Sequence, residues 1–235
     1  MSKFDIRCLT FKTKWYVFSV TELQNLVDNL RKDQIIPISA AVMEQGAYRR
    51  CYEYLVRLQI LDEIESLTKT ESSEEVLKSL FARWKTRTEF SQSSLCNLEP
   101  VLRTRRALLE LVIQQQTKNH SNNVVFLKSE LGECWLSSAK AARKAGQLNK
   151  AYNLLLEAEK FQHKEVFIER AKLCWQREFK TEAISVLQKG ILEHYPELKS
   201  GIDRKNPVDK LEPSDLNICG KAKLLLARYV GTVSN

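Results

Sequence analysis

Apolar residues, some large and some small, recur at intervals of three and four between residues 133 and 160. Trp135, Ala139, Ala142 and Gly146 are spaced 4, 3 and 4 apart, which places them on one stripe of an α-helix. Glycine at 146 suits a helix end, because it enters the left-handed region without a Cβ penalty. Leu148, Ala151, Tyr152, Leu155 and Ala158 then form the apolar face of a second helix. Small side chains at Ala139, Ala151 and Ala158 let the two backbones approach closely. The spacing predicts a helical hairpin over 133–163.

Sliding the chain by 32 residues superimposes this hairpin on a second one over 165–195. Trp135 falls on Phe167, Ala139 on Ala171, Ala142 on Cys174, Ala151 on Ala183, Leu155 on Leu187 and Ala158 on Gly190. Gly146 lands on Glu178, so the second hairpin must turn without its glycine. A slide of 100 residues gives a third copy over 33–67, with Ile35, Ser39, Val42, Gly46, Cys51, Leu55 and Leu58 in the same slots. Trp135, Ala139, Gly146, Ala151 and Ala158 fill fixed positions of the tetratricopeptide pattern, although Ala142 stands where its first-helix tyrosine belongs. One such hairpin cannot bury its apolar face alone, so the predicted architecture is all-α: tetratricopeptide-like hairpins stacked into one α-solenoid over residues 1–235.

Further helices are expected around it. Ser72 and Glu75 have capping-box spacing ahead of Leu77, Leu80, Phe81 and Trp84. Residues 95–117 form another helical pattern, its start marked by Pro100, and 118–123 and 196–213 have loop composition. A last helix, 214–230, carries Ile218, Leu224, Leu225, Leu226 and Tyr229 with no hairpin partner after it.

Composition agrees and excludes other classes. Seven Gly and five Pro among 235 residues are too few for a turn-rich sandwich or barrel. The net charge of +8 raises a nucleic acid, a membrane surface or an acidic protein as partners. Lys and Arg are spread along the whole chain, however, and the densest run, Arg103, Arg105 and Arg106, lacks interleaved aromatics. We read these charges as solvated helix faces. None of the six cysteines (8, 51, 96, 134, 174, 219) stands at C-x-x-C spacing, so free thiols of an intracellular protein are expected. The first residues carry Lys3, Asp5, Arg7, Lys12 and Lys14 and resemble no signal peptide.

Catalytic signals are missing. There is no G-x-G-x-x-G or G-x-x-x-x-G-K-[ST] loop, and His120, His163 and His194 lie in loop-like or exposed positions without the carboxylate–histidine spacing of a catalytic or metal site. Asp203-Arg204-Lys205-Asn206 reads as a polar turn, and Ser91-Gln92 as a chance dipeptide in a Ser-rich loop. We expect no catalytic, cofactor or metal residue. The named residues are repeat core: Trp135, Ala139, Gly146, Ala151, Leu155, Ala158, Phe167, Ala171, Ala183 and Leu187. Lys140, Arg143 and Lys144 either line a groove that reads an acidic peptide or belong to the solvated face.

Several blocks together carry a family resemblance. GAYRRCYEYLVRL (46–58), LRTRRALL (102–109), GECWLSSAKAARKAG (132–146), ERAKL (169–173) and VLQKG (186–190) resemble, in order, the FAT region of the ATR-type checkpoint kinases. These belong to the phosphatidylinositol-3-kinase-related protein kinases. The resemblance implies a segment of a nuclear Ser/Thr kinase of the DNA damage and replication stress response. It also implies a helical collar that supports the kinase domain and meets a regulatory partner subunit, the catalytic residues lying outside this chain. Two other readings stand beside it. A tetratricopeptide adaptor for peptide tails would show complete 34-residue repeats with a capping helix, and a nucleic-acid-binding solenoid would gather its Lys and Arg on one face.

Overall fold

The computed structural model describes residues 20–43, 48–69, 73–90, 94–118, 123–195 and 213–233. These form α1 (Val20–Val42), α2 (Tyr48–Lys69), α3 (Glu74–Phe90), α4 (Leu95–Lys118), α5 (Val124–Lys144), α6 (Leu148–Glu159), α7 (Val166–Gln176), α8 (Lys180–His194) and α9 (Pro213–Val233). No strand occurs among the described residues, so the protein is all-α. The chain divides into two compact units, Met1–Leu127 and Lys128–Asn235. Cys8, His120, Ser72, Ser91-Gln92 and Asp203–Asn206 lie outside the described residues.

In the first unit α2 is central and packs on α1, α3 and α4. Its buried stripe is Ile60, Leu61, Ile64 and Leu67, and Leu77, Phe81 and Trp84 of α3 and Leu102 and Leu109 of α4 are buried as well. Two expectations change here. The third repeat copy put Ile35, Val42 and Leu55 in core slots, but all three are exposed. The face of α1 that turns inward instead carries Val27 and Gln34, seven residues apart, because period 3.6 returns to one side after two turns. Pro100 does not start α4 but lies inside it. The helix opens one turn earlier, where Asn97 N–H and Leu98 N–H donate to the Ser94 carbonyl at 3.1 and 3.0 Å.

The second unit shows how a sequence turns a helix with and without glycine. After α5, Gly146 takes φ +76°; its N–H donates to Arg143 O at 3.0 Å and Gln147 N–H donates to Ala142 O at 2.9 Å. This is the Schellman closure. After α7, 32 residues on, Glu178 takes φ +68°. Its N–H donates to Trp175 O at 3.1 Å, and Phe179 N–H donates to Cys174 O at 3.0 Å. The two turns are the same motif, and the second holds a glutamate in the region that L residues avoid. Glu178→Gly should therefore raise the unfolding free energy by about 0.5–1 kcal/mol, seen as a higher urea midpoint. A lower midpoint would mean that the Glu178 side chain outweighs its backbone strain.

The core of this unit gathers Phe167, Ile168 and Ala171 of α7, Ala183, Leu187 and Ile191 of α8, and Ala222 and Tyr229 of α9. Trp175 stacks on Tyr229 with ring centroids 3.8 Å apart and planes 7° from parallel. The final helix thus has a partner face within the unit: Tyr229 is buried and Ile218, Leu225 and Leu226 pack against the core, while Leu224 is 75% exposed.

Candidate interaction surface

Of the ten residues named as repeat core, Ala139, Ala151, Leu155, Ala158, Phe167, Ala171, Ala183 and Leu187 are buried. Trp135 is half-buried, and Gly146 is exposed at its turn with open space where a Cβ would stand. Phe167, Ala171, Ala183 and Leu187 meet in the α7–α8–α9 core.

The charges reverse the sequence reading most clearly. Arg105, which belongs to the run expected on a solvated face, is buried, as is Glu63 of α2. Its Nε and one terminal nitrogen donate to the two carboxylate oxygens of Glu63 at 2.7 and 2.6 Å. The guanidinium also donates to Thr88 Oγ1 at 2.7 Å and to the Trp84 carbonyl at 2.9 Å, and lies 5.3 Å from the Trp84 ring centroid. Arg106 is buried too and reaches Glu99 at 3.2 Å; Arg103 alone of the three is exposed.

In the second unit the residues considered for an acidic-peptide groove are spent internally. Lys140 pairs with Glu165 at 2.7 Å and Arg143 with Glu169 at 2.9 Å; Lys144 remains exposed. Burial would push the Glu169 carboxyl up, but the hydrogen bond and charge of Lys172 and the charge of Arg143 hold it below the ordinary value. His163 has a carboxylate partner after all, Glu133 at 2.8 Å, contributed from 30 residues upstream. Such partners are set by the fold, so no local spacing reveals them. No group of three His, Cys, Asp or Glu among the described residues is arranged to hold a metal ion, and no described helix is long and apolar enough to cross a membrane.

A groove of about 760 Å³ lies within the second unit. The end of α6 and the following loop border it through Glu159 and Gln162, Phe167 of α7 lies at its base, and α8 supplies Val186, Gly190 and His194. His194 stacks on Phe167 at 5.4 Å. Gln162 holds a left-handed φ of +51° on the rim.

These features define an all-helical repeat protein whose buried charges lock helices together. The chain belongs to the FAT domain family, whose family model matches residues 8–234. Its relatives include the "Serine/threonine-protein kinase ATR" of Drosophila melanogaster, 28% identical over 219 residues, covering 88% of this chain and 8% of that protein. The proteins of that name from Arabidopsis thaliana and Caenorhabditis elegans are 31% identical over 169 residues and 29% identical over 220. Those stretches cover 67% and 91% of this chain but only 6% and 8% of the relatives. The chain thus spans under a tenth of the length of these curated relatives. No solved structure matches it.

Proposed function

We propose that the chain is the helical scaffold segment of an ATR-like Ser/Thr protein kinase of the DNA damage and replication stress checkpoint. On this reading it acts in the nucleus, supports the kinase domain and offers a surface to a regulatory partner subunit. The observation that carries the proposal is the lopsided coverage: similarity runs through 88% of this chain yet reaches 8% of the fly kinase. The chain then contributes packing and contact surface, while phosphoryl transfer belongs to sequence outside it. The internal pairing of Arg105, Arg106, Lys140 and Arg143 supports a protein partner over a nucleic acid, which needs unpaired cations on one face.

An antibody raised against the 235-residue chain should precipitate, from source-cell extract, a polypeptide roughly an order of magnitude longer. That precipitate should phosphorylate Ser/Thr peptides, whereas the purified chain should not. Recovery of a species of only 27.2 kDa, the mass of this chain, would overturn the reading.

A further inference from the structure

The geometry points to the α7–α8 groove as a docking site for a basic amphipathic helix of a protein partner. This deepens the scaffold reading and rests on it only for the partner's context. Of the cations lining the groove, Lys164 is paired with Asp215 at 2.7 Å and Arg170 with Glu159 at 2.9 Å. The charges left over stand in a row on α8: Glu182, Lys189 and Glu193, all exposed and all lining the groove. The residual rim is therefore acidic at both ends, on a chain whose net charge is +8.

The floor is built for an apolar side chain. Gly190 sits where the preceding hairpin has Ala158, and a Cβ at 190 would fall 2.9 Å from Phe167 Cβ and closer still to its ring. Lacking that atom, α8 lets the Phe167 ring sink against its backbone instead of standing up into the groove. Val186, half-buried one turn earlier on α8, continues the apolar strip.

Spacing converts this surface into a recognition pattern. Glu193 and Glu182 are eleven residues apart on one helix, about 16 Å along its axis. A helix lying antiparallel to α8 meets Glu193 with position i, Gly190 with i+3, Lys189 with i+4, Val186 with i+7 and Glu182 with i+11. These five positions share one helical face. The complementary helix carries Lys or Arg at i and i+11, Glu at i+4 and large apolar residues at i+3 and i+7, the helix-in-groove mode of recognition.

The test uses a fluorescein-labelled synthetic helix with Lys at i and i+11, Glu at i+4 and Leu at i+3 and i+7, titrated with the full 235-residue chain by anisotropy. Saturable binding is expected. Glu182→Lys with Glu193→Lys should weaken it about tenfold, since each exposed pair contributes modestly. A peptide with Glu at i and i+11 should then bind the double variant as tightly as the original pair. Both substitutions are exposed, so an unchanged urea midpoint checks the fold. Failure to saturate, equal binding by the double variant, or equal binding of the parent chain to the charge-swapped peptide would each overturn the site. None of these outcomes alters the length or kinase activity of the precipitated polypeptide, so the two readings fail separately.

Discussion

Arg105→Met should lower the unfolding free energy by about 3–5 kcal/mol, measured as a reduced urea midpoint. Arg105 and Glu63 are 5% and 0% exposed at their side chains, so water does little to screen either charge. Removing the guanidinium leaves the Glu63 carboxylate with only the Gln59 amide at 3.0 Å, and strips a donor from Thr88 and from the Trp84 carbonyl. The cost comes from stranding a buried anion, not from losing a strong bond. Glu63→Leu in the same chain should therefore restore much of the loss, because two apolar side chains of similar bulk need no partner. Should Arg105→Met leave the midpoint where it was, the fork between α2 and α4 would have no structural weight.

That residue also shows what a sequence hides. The buried positions Ala139, Ala151, Leu155, Ala171, Ala183 and Leu187 were legible because a helix writes its buried face into the spacing of neighbouring residues. Even the turn at Glu178 could be located, since the 32-residue slide brings it onto Gly146. Arg105 is different: its partner lies 42 residues away on another helix, and a run of Lys and Arg looks the same whether it is solvated or paired inside. The same reason hid Glu133 from His163 and Glu169 from Arg143.

The first unit was harder to read for another cause. Residues 35–43, IIPISAAVM, are apolar on every side of the helix, so periodicity cannot say which of them turns inward. The register that looked repeat-like chose Ile35 and Val42, while packing chose Val27 and Gln34. In the groove the apolar floor was half legible. Phe167 and Gly190 appeared as repeat-core equivalents, but the row Glu182, Lys189 and Glu193 emerges only once their neighbours' charges are known to be paired.

Gly190→Ala should be the most damaging one-carbon change in the second unit, costing about 1–3 kcal/mol. Elsewhere on a helix the same replacement helps, because alanine loses less conformational freedom on folding. Gly190 is buried mid-helix with no positive φ, so its value lies in the atom it lacks. The added Cβ would collide with the Cβ, Cγ and Cδ2 atoms of Phe167, and the ring is hemmed in by Ala171, Leu187 and Ile191. To make room, α8 must shift or the ring must swing toward the groove. Gly220, on α9, provides the control, since nothing stands within 4 Å of a Cβ there. Gly220→Ala should be neutral or stabilising in the same urea experiment. Pairing Gly190→Ala with Phe167→Leu should recover part of the loss, because the smaller side chain vacates the collision. If Gly190→Ala instead behaves like Gly220→Ala, the close approach of α7 and α8 at this point is not what fixes their packing, and the depth of the groove has another origin.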